Sequence, residues 1–157
     1  MGEVASAPAG LEEIAWSSVE EGALVGAVRL NAAHNEIRGR SIKAGVYTLR
    51  YALQPSDGNH LGASPHPEFL LLSPAAADTS AGPLGHDGAV NVSKRTIGLS
   101  HPAIWSLDPP IASEMPLALH KNDAGMTAVI FELPVARDGK AAGTLRFGLV
   151  LVGEIQS

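Results

Sequence analysis

The sequence predicts an all-β domain, a single antiparallel β-sandwich of jelly-roll or immunoglobulin-like type. It should hold about seven to nine strands, long loops and at most one short helix. Two observations carry that expectation. Apolar residues recur with period two in stretch after stretch, the spacing of a half-buried strand. Between those stretches stand turn-forming clusters: glycine (17) and proline (11) together make 28 of 157 residues, about 18% against a usual ~12%. The 24 alanines do not argue for a helical bundle, because charged residues are only 17% of the chain and aromatics 4%. A long helix would combine alanine with Glu, Lys, Arg and Leu at helical spacing. Hydrophobic residues at 45% and a mean hydropathy of +0.12 exclude a wholly disordered chain.

The elements follow in order. Met1 to Gly10 is small, Pro-containing and without an apolar stretch, a flexible segment ahead of one domain over residues 11–157. Ile14–Val19 is a strand candidate carrying Trp16. Leu24, Gly26, Val28 and Leu30 alternate with Val25, Ala27 and Arg29. Tyr47, Leu49, Tyr51 and Leu53 alternate with Val46, Thr48, Arg50 and Ala52, bounded by Ala44-Gly45 before and Pro55 with Asp57-Gly58 after. Phe69–Leu72 is a short apolar strand ended by Pro74, and Ala103–Leu107 is another candidate, with Trp105. Asn122 to Gly125 turns Leu117–His120 back onto Met126–Leu133, which Asp138-Gly139 joins to Leu145–Val152. Long loops are expected at Gln54–Pro67 and Ala75–Ile97. Within the second, Asp87–Arg95 can form one or two helical turns with Asp87 as N-cap.

Charge and composition narrow the function classes. A net charge of −5 and a pI near 5.6 argue against nucleic acid as the main ligand. The densest basic cluster, Arg38, Arg40 and Lys43, lacks the interleaved aromatics of a single-strand binder. The absence of cysteine removes disulfides, thiol catalysis and iron–sulfur ligation. No apolar run approaches the ~18 residues of a membrane span.

Residues 38–69 read RGRSIKAGVYTLRYALQPSDGNHLGASPHPEF. Arg38, Gly39, Ile42, Lys43, Gly45, Tyr47, Arg50 and Tyr51, followed by Asp57, Gly58, His60, Gly62, Pro65, Glu68 and Phe69, form a pattern. It resembles that of a family of uncharacterised exported bacterial proteins, and Gly22–Gly26 and His101-Pro102-Ala103 extend the likeness. The resemblance implies a β-sandwich and a periplasmic or secreted location. It brings no activity with it.

Two constellations could carry chemistry. Asp57, His60, His66 and Glu68 lie in one loop and its exit into a strand, and imidazole with carboxylate is a ligand set for a transition metal. Their spacing fixes no shared face, since ligating histidines on regular structure sit two or four apart. The plainer reading makes Asp57-Gly58 a turn and His60 a loop bridge. Arg29, Arg50 and Arg146 each sit mid-strand among small residues, namely Ala27, Thr48, Ala52, Thr144 and Gly148. Such room would let a guanidinium fork hold a carboxylate or a sugar hydroxyl. The plainer reading is an outward polar face with its arginines paired to exposed acids. Trp16 and Trp105 could form a carbohydrate platform or simply pack. Nucleophile-elbow, zincin and phosphate-loop motifs are absent.

The expectation is therefore a non-enzymatic exported domain. It would bind a small molecule, a carbohydrate or a protein through its long loops or its arginine-bearing face, without a cofactor. The alternative is a metal-binding protein or metal-dependent enzyme built on Asp57, His60, His66 and Glu68.

Overall fold

The computed structural model describes residues 15–55, 66–98, 100–109 and 116–153. Nine strands follow a single-turn 3₁₀ segment at Trp16–Ser18: β1 (Leu24–Leu30), β2 (His34–Asn35), β3 (Ser41–Ile42), β4 (Gly45–Leu53), β5 (Glu68–Pro74), β6 (Ala103–Asp108), β7 (Leu119–Lys121), β8 (Thr127–Arg137) and β9 (Lys140–Val152). One helix, α1 (Gly85–Ile97), lies between β5 and β6. Seven strands form one antiparallel sheet in the order β1-β4-β5-β6-β9-β8-β7, and β2 and β3 make a separate pair. The fold is all-β with one helix.

Period two sorts the residues of each strand onto two faces. On one face Tyr47, Leu49 and Tyr51 of β4 join Leu70 and Leu72 of β5, Trp105 and Leu107 of β6, and Phe147 and Leu149 of β9 in a single apolar cluster. Trp16 bridges the two halves of that cluster, stacked on Tyr51 at 5.0 Å and edge-on to Phe147 at 5.4 Å. In a flat sheet β4 and β9 would stand about 14 Å apart at ~4.8 Å per strand. The halves therefore turn toward each other around Trp16. Among the described residues the ladder between them has two residue pairs, Leu107↔Leu149 and Asp108↔Gly148, and the Trp105 indole N–H adds a bond to the Val150 carbonyl at 2.6 Å.

The other face of β4, β5 and β6 is covered by α1, where Ala52, Phe69, Leu71, Ala89 and Ile104 make a second cluster. The helix is longer than the one or two turns expected, and Leu84, not Asp87, is its N-cap; Asp87 lies in the first turn, where its charge favours the helix dipole. Val90 and Ile97 add partly buried apolar contacts. Ser93 donates to the Leu72 carbonyl at 2.6 Å and accepts from the Ala103 N–H at 3.1 Å, and Thr96 donates to Leu72 at 2.7 Å. Gly98, at φ 66°, ends the helix with its N–H on the Lys94 carbonyl.

The strand expected over Ile14–Val19 is a 3₁₀ turn where it is described, closed by the Val19 N–H on the Trp16 carbonyl at 2.9 Å. The β8–β9 hairpin turns on two residues, Asp138 (φ 52°) and Gly139 (φ 74°), the pair of positive φ angles that a type I′ turn requires. Arg38 of the basic cluster has a structural role. Arg38 grips the buried carboxylate of Glu36 at 2.8 and 3.0 Å and donates to the Pro102 carbonyl at 2.8 Å.

Candidate functional site

A cleft of about 300 Å³ opens where β5 begins, β6 ends and β9 passes, lined among others by Trp16, His66, Glu68, Leu107, Asp108 and Arg146. Its geometry follows from the strand pairings. The Leu53↔Glu68 and Tyr51↔Leu70 pairs put Glu68 on the apolar-cluster face beside Tyr51. Asp108, the last residue of β6, is drawn close to β9 because position 148 is glycine. A Cβ there would stand 2.7 Å from the Asp108 carbonyl oxygen. Trp16 closes one wall, and its indole N–H donates to the Arg146 carbonyl at 3.2 Å.

The polar groups of the cleft differ in how far they are satisfied. Asp108 has a side chain only 8% exposed. Its Oδ1 accepts from Asn122 Nδ2 at 3.0 Å, and Asn122 is itself held in the 122–125 turn by the Met126 N–H at 2.9 Å. His66 Nε2 stands 3.6 Å from the same Oδ1, an ion-pair distance beyond a hydrogen bond. Among the described residues no hydrogen bond reaches Asp108 Oδ2. Arg146 lies across the β8–β9 ladder from Glu132, with Nε 3.3 Å from Oε2, so its charge is countered within the ladder.

The expected site residues divide accordingly. His66, Glu68 and Arg146 come together at the cleft. Asp57 and His60 lie outside the described residues. No group of three His, Asp or Glu side chains among the described residues could hold a metal ion. Arg29 is exposed on edge strand β1, separated from β9 by β4, β5 and β6, so it does not join Arg146.

Arg50 faces the α1 side and is wholly buried, and all five of its N–H donors are used. Nε and Nη2 fork the Asp78 carboxylate at 2.7 Å each, Nη1 donates to the Gly22 and Gly82 carbonyls, and Nη2 also reaches Ser80. None is left for a ligand. The small neighbours that suggested a vacant binding face are there because the loop after β5 packs over them. The guanidinium beside Asp78 holds that carboxyl below the usual range, helped by Thr48 Oγ1 and opposed by burial.

Two contributors to the cleft had weak sequence signals. Asp108 stands between an apolar strand and Pro109, and Trp16 sits in a segment with strand-like pattern but turn geometry. A more open groove of about 350 Å³ beside His34, Asn35 and Val152 offers fewer converging groups. Its His34 stacks on Trp105 at 5.1 Å, and burial lowers its pKa.

Tyr51, beneath Trp16, is fully buried, and its hydroxyl has no hydrogen-bond partner among the described residues. Burial, then the charges of Glu68 and Glu21, push its pKa up to about 12. An unpaired buried hydroxyl costs about 1–3 kcal/mol, so Tyr51→Phe should stabilise the domain by about 1 kcal/mol in urea unfolding. The raised pKa favours the neutral phenol in the folded state. Wild-type stability should therefore fall as pH rises from about 10, the unfolded value, toward 12, and the variant should lack that part of the loss. Equal stability and equal alkaline slopes for the two proteins would contradict this.

No family model, curated protein or solved structure matches this chain. No helix among the described residues is long and apolar enough to cross a membrane.

Proposed function

We propose that this chain is a non-enzymatic, exported binding domain that takes a small molecule in the cleft between Trp16, Glu68 and Asp108. One observation carries the reading: a concave site lined by apolar Trp16, Leu107 and Phe147 together with the polar groups of His66, Glu68, Asp108 and Arg146. Clefts with that combination are the usual form of small-ligand sites, and ~300 Å³ is the small end of their range. Export rests on the resemblance of residues 38–69 to a family of exported proteins. The second reading, a metal site, has one observation in its favour, the approach of His66 to Asp108 at 3.6 Å.

A fragment library screened by saturation-transfer NMR tests the proposal. Hits on the wild type should be lost in Glu68→Arg, whose longer side chain fills the cleft, while the variant's fold is unchanged by circular dichroism. Hits that persist undiminished in Glu68→Arg would place binding elsewhere. Zinc and nickel in the same screen address the second reading, for which His66→Ala should abolish stoichiometric uptake.

A further inference from the structure

We infer that the ligand's polar end is a cation, an ammonium or guanidinium on a small apolar body; this rests on the cleft being the binding site. The charge balance of the walls carries the inference. Glu68 and Asp108 both line the cleft, and the guanidinium that could offset them, Arg146, is countered by Glu132 at 3.3 Å. His66 stands 3.6 Å from Asp108 Oδ1, too far to satisfy that carboxylate by a hydrogen bond.

Asp108 is the stronger anchor of the two. Its side chain is 92% buried, from an exposure of 8%. One oxygen is oriented by Asn122, while the other receives no hydrogen bond from a described residue. A carboxylate with one oxygen oriented by Asn122 and the other not hydrogen-bonded favours a ligand that brings a charged donor. Trp16, one ring face of which is covered by Tyr51, lines the cleft as well, and an aromatic ring attracts a cation and not an anion. The chain's net charge of −5 adds a long-range field of the same sign. A carboxylate ligand, as the strand arginines first suggested, would meet two like charges and no uncommitted guanidinium.

Three probes of one shape and different charge test this: benzylamine, benzyl alcohol and benzoate, titrated calorimetrically into the full chain. Benzylamine should bind about tenfold more tightly than benzyl alcohol, and benzoate more weakly than either. Glu68→Gln and Asp108→Asn should each shrink the amine's advantage over benzyl alcohol to about threefold. Glu68→Gln serves alone if Asp108→Asn does not fold. Raising salt should weaken benzylamine only. Benzoate or benzyl alcohol binding as tightly as benzylamine would overturn the cationic class and leave the cleft standing as a site. An amine advantage unchanged in the variants would also overturn it. Binding by none of the three would sink both the class and the cleft.

Discussion

Replacing Arg50 with methionine is expected to destabilise the domain by about 3–5 kcal/mol, the cost of breaking a buried ion pair by removing one partner. Methionine fills much of the volume, so the loss comes from the groups left behind. Asp78 would keep a buried charge answered by Thr48 Oγ1 and the Ser80 backbone N–H, the Ser80 carbonyl would lose its donor, and the Gly22 and Gly82 carbonyls would each lose one of two. Arg50→Lys should fail almost as badly, because an ammonium has three donors in the wrong geometry for a carboxylate fork and three carbonyls. Urea unfolding at pH 7 checks both, and a loss under 1 kcal/mol would show that the pair is dispensable.

The same pair sets an acid limit. The Asp78 carboxyl is held below its ordinary pKa by the Arg50 fork, so its contribution is complete above the unfolded value of about 4. It should drain away as pH falls below that and through the folded pKa. Asp78→Asn should be less stable than wild type at pH 7, with the gap narrowing steadily below about pH 4. A gap that stays constant with pH would contradict the linkage.

Gly148→Val is the second large effect, about 3 kcal/mol. The added Cβ meets the Asp108 carbonyl oxygen at 2.7 Å, Asp108 Cβ at 3.2 Å and Ile130 Cδ1 at 3.4 Å. The first of these is backbone of the neighbouring strand and cannot swing aside. It also belongs to one of the two ladder pairs described between β6 and β9, so relief must come from separating those strands. Gly26→Ala is the control: nothing lies within 4 Å of a Cβ there, and it should change stability by no more than about 0.5 kcal/mol. Thermal unfolding of the two variants side by side decides the matter; comparable melting temperatures would mean that the junction yields easily.

What was legible in the sequence was whatever a local period records. Strand β4 is an example, since Tyr47, Leu49 and Tyr51 share a face and the turn residues around them mark both ends. The same period placed Arg50 on the opposite face but could not say what covers that face. The answer is Asp78, 28 residues away in a loop of small residues with no pattern of its own. Helix α1 was underestimated for a related reason. Of its 13 residues only Ala89 and Ser93 are fully buried, its apolar side is narrow, with Val90 and Ile97 partly buried, and its attachment also runs through hydroxyl groups to Leu72 and Ala103.

The cleft divides in the same way. His66 and Glu68 stood out because they are close in the chain and chemically apt. Asp108 and Trp16 are distant in sequence and reach them only through the β5–β6 pairing and the bend of the sheet around Trp16. Arg146 is marked in the sequence by its small neighbours, one of which, Gly148, is small so that β6 can approach β9.

The most direct test of the cleft as the binding site is amide and indole shift mapping by two-dimensional NMR, with the tightest fragment titrated into the ¹⁵N-labelled chain. The account predicts that the largest shifts fall on the Trp16 indole N–H and on the amides of His66, Glu68, Asp108 and Phe147. Shifts centred instead on His34, Asn35 and Val152, with those groups unmoved, would contradict it.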